Sequence, residues 1–213
     1  MRIPSLALGL AGALQFSAAK AADSTPLLNG RDLAGWEFVA IPARDIATVC
    51  QVLSDGVVAA EGKPVGYIAA TGQYENYHLH AEWRWPGKPG NGGLLVHIAS
   101  GPKDRAWPTC LQIQLKHGAA GDLLPMAGAT FAEPLTSPPG TTAIKAHTAT
   151  ESEHPPGEWN SCDIVCRGDT VEVSINGVMQ NRVTHVSPAA GRVGFQFEGT
   201  AFEVRQVSLV RLD

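Results

Sequence analysis

Four short alternating segments concentrate the side chains that could do chemistry. Residues two apart on a β-strand share a face. The run 77–85 therefore sends Tyr77, Leu79, Ala81, Trp83 and Trp85 one way and His78, His80, Glu82 and Arg84 the other. The same parity over 92–98 directs Leu94, Val96 and Ile98 inward and His97 outward. Over 110–116 it directs Leu111, Ile113 and Leu115 inward, leaving Gln112, Gln114 and Lys116 outside. Near the end, Val193, Phe195 and Phe197 point inward, Gln196 and Glu198 outward. This outward inventory of carboxylate, amide, imidazole and guanidinium suits a polyhydroxylated ligand. Carboxylates and amides bridge neighbouring hydroxyls in pairs, and Arg donates to a carbonyl oxygen. Any antiparallel sheet also carries polar residues on its wet face, so the pattern needs support from elsewhere in the chain.

Other chemistries fit less well. His78, His80 and Glu82 alternate on one strand face and, with His97 as a further ligand, would make a set for Zn²⁺ or Fe²⁺. Solvent-facing strand residues are the simpler reading, and neither a metal nor another cofactor is expected. No Cys/His zinc spacing, nucleophile elbow, P-loop or dinucleotide fingerprint occurs. The E-x-D-x-E strand of a laminarinase-type glycosidase, which sets its acid and nucleophile about 5 Å apart, is missing too. Trp107 and Trp159 fall in expected loops, where an exposed indole could stack on a sugar ring. Trp107 is the candidate for that role; Trp159, next to Asn160, reads as turn packing.

The elements that must position these groups are all strands. Period-two alternation predicts them at 48–53, 56–60, 66–70, 77–85, 92–98, 110–116, 161–167, 170–175, 192–198 and 202–211, with no sustained helical stripe. Asn176-Gly177 marks a tight hairpin, since both central turn positions demand positive φ. Many short antiparallel strands with Gly-rich turns imply a sandwich or jelly roll. Residues 118–156 are rich in Pro, Gly, Thr and Ala with little periodicity, which fits either a lid over the open face or a surface excursion.

Composition narrows the partners. Sixteen basic and 20 acidic residues give a net charge of −4 with no basic run, excluding the electrostatic footprint of a nucleic-acid binder. Arg2, the apolar stretch Leu6 to Phe16 and Ala19-Lys20-Ala21 form a secretory signal over 1–21. The expected mature chain is then one domain over 22–213, periplasmic or secreted, with no transmembrane span. Four cysteines in an exported chain permit two disulfides. Cys162 and Cys166 lie too far apart on one strand to bridge. Cys50 with Cys110 is the pair to test, against the alternative of buried free thiols.

Four separated segments carry a family resemblance. They are Leu27-Leu28-Asn29-Gly30-Arg31-Asp32-Leu33-Ala34-Gly35-Trp36, the stretch Tyr74 to Trp85, Pro156-Gly157-Glu158-Trp159-Asn160, and Gly191 to Gly199 continuing through Phe202-Glu203-Val204-Arg205. As a set they resemble the 3-keto-disaccharide hydrolase family. The resemblance implies a concanavalin-like jelly-roll β-sandwich, exported, that cleaves a small oxidised glycoside supplied by a separate sugar 3-oxidoreductase. A C3 carbonyl acidifies the C2 proton, so a base removes it, the C1 oxygen leaves and water adds afterwards. On that reading His97 or Glu82 is the base, Arg84 stabilises the carbonyl, and Glu198 is the other acid/base group. Asn91, Trp107, Gln112, Gln114, Lys116 and Gln196 would hold the substrate. The chain departs from the family pattern in four places. Asn91-Gly92-Gly93 replaces Asn-Ser-Gly, Gln112 stands where an acid is expected, Lys116 or His117 stands for the acid after it, and Val204-Arg205-Gln206-Val207 replaces the terminal Phe-Arg-Asn-Ile. Loss of an acid at 112 keeps open a non-catalytic, lectin-like carbohydrate-binding domain.

Overall fold

A computed structural model describes residues 24–213. The expected signal segment and its cleavage site lie outside the described residues. Two antiparallel sheets pack face to face. The larger, sheet A, orders β12 (Val178–Val183), β11 (Thr170–Ile175), β10 (Asn160–Arg167), β6 (Tyr77–Arg84), β14 (Phe202–Arg211), β4 (Val58–Ala60) and β3 (Cys50–Val52), with β1 (Ser24–Pro26) also paired to β14. Sheet B orders β2 (Trp36–Ala40), β5 (Gly66–Ala70), β13 (Arg192–Phe197), β7 (Gly92–Asp104), β8 (Trp107–Gln114) and β9 (Leu123–Met126). This is the all-β jelly-roll sandwich that the alternation predicts. Among the described residues no helix is long and apolar enough to cross a membrane.

Parity sets what fills the space between the sheets. Tyr77, Leu79, Ala81 and Trp83 of β6 meet Leu94 and Val96 of β7, Leu111 and Ile113 of β8, and Phe195 and Phe197 of β13 in one core. Aromatic rings carry much of it: Phe38 and Phe197 lie 5.0 Å apart, and Phe197 stands edge-on to Phe202 at 5.2 Å. A second, smaller apolar cluster of Tyr67, Ala69, Leu95, Ile98 and Cys110 sits apart from that core, drawn from the other parity of β5 and β7.

The N-terminal motif is a structural device. Asn29 Oδ1 accepts from the backbone N–H groups of Arg31 and Asp32, and Asp32 Oδ1 accepts from Ala34 N, so the segment folds back on itself. Trp36 Nε1 then donates to Leu27 O at 2.7 Å. Asn176 and Gly177, at φ 49° and 78°, join β11 to β12 in the expected two-residue hairpin.

The structure answers two points that the sequence leaves open. Cys50 and Cys110 are not bridged: Cys50 belongs to sheet A and the main core, Cys110 to sheet B and the small cluster. All four cysteines are free and buried, and burial pushes the Cys50 and Cys166 thiols up to about 12. Residues 118–156 are neither a free lid nor a loose excursion. They contain β9 and tie that edge of sheet B to the β12 edge of sheet A. Asn181 Nδ2 donates to Gly121 O at 2.9 Å, Lys145 Nζ donates to Asn181 Oδ1 at 2.6 Å, and Glu133 accepts from Thr184 N. Strands β1, β2, β9 and β12 lie outside the set predicted from alternation.

Candidate functional site

The outward residues of the two sheets face opposite ways across the core, so the predicted polar set divides. Gln112 and Gln114 of β8, Gln196 of β13, and Asn91, Lys116 and Glu198 at the strand ends gather on the outer face of sheet B. They line a groove of about 470 Å³ together with Trp107, Asp104 and Arg105. Leu124 to Ala127 and Thr142 to Ile144, both from the 118–156 segment, complete the lining. Two other hollows of about 370 Å³, one beside β3 and β4 and one around Tyr74 to Asn76, gather no comparable set of amides.

The floor is built by register. Tyr67, Gln196, Gly93 and Gln114 are directly paired across β5, β13, β7 and β8. Gly93 leaves a gap in that row, and the Gln112 side chain occupies it. A Cβ added at Gly93 would stand 2.7 Å from Gln112 Cγ and Nε2, so the glycine is what lets this amide lie across the floor. Gln112 Nε2 donates to Gln196 Oε1 at 3.0 Å and to Gln114 Oε1 at 3.3 Å. Gln114 Oε1 also accepts from the backbone N–H of Lys116 at 3.2 Å.

Charge enters at one end. Glu198 is solvent-exposed at the rim. Partial burial nonetheless raises its carboxyl above the ordinary carboxylate range, against the opposing pull of Lys116 and Arg105. A carboxylate held in this way, next to two cations and a neutral amide floor, can exchange a proton with a bound molecule while the cations take up negative charge. Trp107 opens β8 instead of lying in a loop and is 8% exposed, presenting little of its indole as a platform.

Glu82 and Arg84 stand elsewhere. Both lie on the outer face of sheet A, beyond the core from the groove, correcting the expectation of one shared polar face. Glu82 Oε2 accepts from Arg205 Nε, and Arg84 Nε donates to Glu203 Oε2 at 2.6 Å. The Arg205 and Arg84 guanidiniums sit 4.0 and 4.6 Å from the centre of the Trp159 ring. This explains Trp159 as a packing residue. His78 Nε2 and His80 Nδ1 both reach Asp163 Oδ1 at 2.9 Å, which raises the His80 pKa and occupies both imidazoles. Among the described residues no three His, Cys, Asp or Glu side chains are arranged to hold a metal ion. Glu82→Gln is accordingly expected to leave ligand affinity within twofold of wild type. It should cost about 1 kcal/mol or less of stability, as for a partly exposed ion pair; titration calorimetry and urea melts check the two values.

His97 is the second correction. Leu95 pairs with Gly194 but Ile98 pairs with Arg192, so β7 carries one extra residue against β13. His97, at φ 55°, occupies that bulge. The bulge reverses the parity beyond it: Ile98 joins the small outer cluster and His97 turns into the core, fully buried and edge-on to Tyr77 at 5.9 Å. Its Nδ1–H donates to Pro188 O at 3.0 Å, while no protein donor reaches Nε2. Burial lowers its pKa to about 4.

The sequence reading did not single out Asp104, Arg105 or the wall at 142–144. Asp104 and Arg105 sit at the tip where β7 runs past its periodic portion into a tight turn, Arg105 having φ 54°. The 142–144 wall comes from the segment whose texture alone distinguished it.

Comparison with known proteins follows the same lines. A family model described as a 3-keto-alpha-glucoside-1,2-lyase-like domain matches residues 23–210. No curated protein matches the chain. Among solved structures, a candidate glycosyl hydrolase from Parabacteroides distasonis ATCC 8503 superposes with a TM-score of 0.68 at 24% identity, covering 91% of this chain and 96% of that one. LamAcat from Zobellia galactanivorans superposes at 0.59 with 12% identity, covering 88% and 96%. The carbohydrate binding module CBM66 from Bacillus subtilis superposes at 0.57 with 9% identity, covering 84% and 97%. At these identities the likeness is one of fold.

Proposed function

Because the chain belongs to the 3-keto-alpha-glucoside-1,2-lyase-like domain family, we propose that the sheet B groove binds a 3-keto-glycoside and cleaves it by elimination and hydration. The observation that carries this reading is the pairing of a raised-pKa carboxyl, Glu198, with Lys116 and Arg105 beside an amide floor. Glu198 takes the C2 proton, and the C2–H electrons become a C1–C2 double bond conjugated to the C3 carbonyl. The C1–O bond breaks and the departing oxygen receives a proton. Water then adds its oxygen to C1 and a proton to C2. Lys116 and Arg105 hold the negative charge that develops on O3, the role that Arg84 cannot fill from the opposite sheet. Gln112, Gln114, Gln196 and Asn91 seat the hydroxyls.

The experiment is turnover of a 3-keto-glucoside beside its unoxidised parent, in deuterated water. Release from the oxidised sugar alone, with solvent deuterium at C2 of the product, is the expected result. Equal release from both sugars would exclude elimination. The lectin-like reading draws on the floor itself, where Gln112 supplies no ionisable group; binding of the oxidised sugar without release would favour it. Export in this reading rests on residues 1–21, and the intact mass of the protein from its natural host should begin at Ala22.

A further inference from the structure

The direction of the amide chain on the groove floor fixes what it asks of a ligand. A backbone N–H can only donate, so the bond from Lys116 N to Gln114 Oε1 sets which end of the Gln114 amide faces its neighbour. Gln112 must then present its NH₂ to Gln114, and the second hydrogen of that group goes to Gln196 Oε1. Both Gln112 donors are thereby used. Its Oε1 is buried with no protein donor, in a residue that is 1% exposed. Asn91 Oδ1, on the same groove, is likewise buried without a donor. An unmet buried acceptor costs a bound state that leaves it unmet and favours one that supplies a hydrogen.

We infer that Gln112 Oε1, with Asn91 Oδ1 beside the same groove, is a specificity determinant that takes a hydrogen bond from a ligand hydroxyl. A ketone carries no hydrogen to give. The oxidised carbon of a 3-keto sugar is therefore excluded from the Gln112 and Asn91 oxygens and directed to the end where Lys116 and Arg105 can donate to it. The inference rests on the proposed carbohydrate reading of the groove and adds the orientation of the sugar. It also fixes the effect of restoring an acid at 112. A carboxylate in place of the Gln112 amide would face the fixed Gln114 oxygen with no hydrogen between them, so Gln112→Glu should weaken binding and not improve it.

The test uses wild-type protein and C-glycosides of the 3-keto sugar, which bind without losing an aglycone, with the C2, C4 or C6 hydroxyl replaced in turn by fluorine. Fluorine fills the place of the hydroxyl and has no hydrogen to donate. One or two of the three replacements should weaken binding by about 30-fold or more by calorimetry, and Gln112→Met should reduce that penalty to threefold or less for at least one of them. Replacements all within threefold of one another, as when a bound water supplies the hydrogen, overturn the inference, as does a penalty that Gln112→Met leaves intact. No binding of any C-glycoside overturns it as well. Turnover of the cleavable 3-keto-glucoside is scored separately: a selective fluorine penalty with no turnover keeps the inference and removes the enzymatic reading, and turnover with no penalty does the reverse.

Discussion

Glu198→Gln is expected to lower turnover of a 3-keto-glycoside by about 10³-fold while leaving the affinity for a non-cleavable analogue within about threefold. The first figure follows from the usual worth of a positioned general base, roughly 10² to 10⁴. The second follows from the geometry: the amide keeps the size and hydrogen-bonding reach of the acid at an exposed rim position, and the floor of Gln112, Gln114 and Gln196 is untouched. The pH profile of the wild type adds an independent check. A base must be ionised, and burial raises the Glu198 carboxyl above its ordinary range. The acid limb of kcat/KM should therefore turn over at a higher pH than a free glutamate would give, and Lys116→Met, removing a cation that opposes the shift, should move it higher still. A Glu198→Gln enzyme with near wild-type turnover would assign the base elsewhere in the groove, with Asp104 the next carboxylate on its lining.

The residues on which this prediction turns were legible in the sequence to different degrees, for physical reasons. Strand parity correctly separates Gln112, Gln114 and Gln196 from their core-facing neighbours because each lies within one regular strand. Parity within a strand does not say which sheet the strand joins. Glu82 and Arg84 alternate as cleanly as Gln112 and Gln114, yet β6 belongs to sheet A and β8 to sheet B, and their outward faces are turned apart by the whole core. The pairing of β6 with β10 and β14 is a long-range fact with no local mark. His97 fails differently. One left-handed residue reverses the parity beyond it, and the periodic run Leu94, Val96, Ile98 looks unbroken because isoleucine suits the small outer cluster as well as the core. The Asn176-Gly177 turn was readable because its chemistry is local. Asp104, Arg105 and Thr142 to Ile144 reach the groove only through tertiary packing of segments with no period.

The misplaced histidine leads to the largest expected effect on stability. His97 has no exposed surface, its Nδ1–H is held by Pro188 O, and its Nε2 meets no protein donor. Protonation would put a charge into the core against Tyr77, whose phenol burial keeps neutral, and near no described carboxylate. The folded pKa is about 4, against an ordinary value of 6.5. Between these values the unfolded chain binds more protons than the folded one, so stability rises with pH across that window and is lost as pH falls through it. At about 1.4 kcal/mol for each tenfold change in proton affinity, the loss from pH 6.5 down to 4 is about 3 kcal/mol. His80 works the other way and in another window: Asp163 raises its pKa, so its contribution is complete below 6.5 and fades only as pH rises through the folded value, leaving the slope between 6.5 and 4 unchanged. Urea midpoints measured from pH 7 to 4 should fall steadily with an unchanged m-value. His97→Asn, chosen because asparagine tolerates the positive φ of the bulge, should begin less stable at pH 7 and lose markedly less on acidification. An equally steep acid loss in that variant would move the proton uptake from His97 to another group.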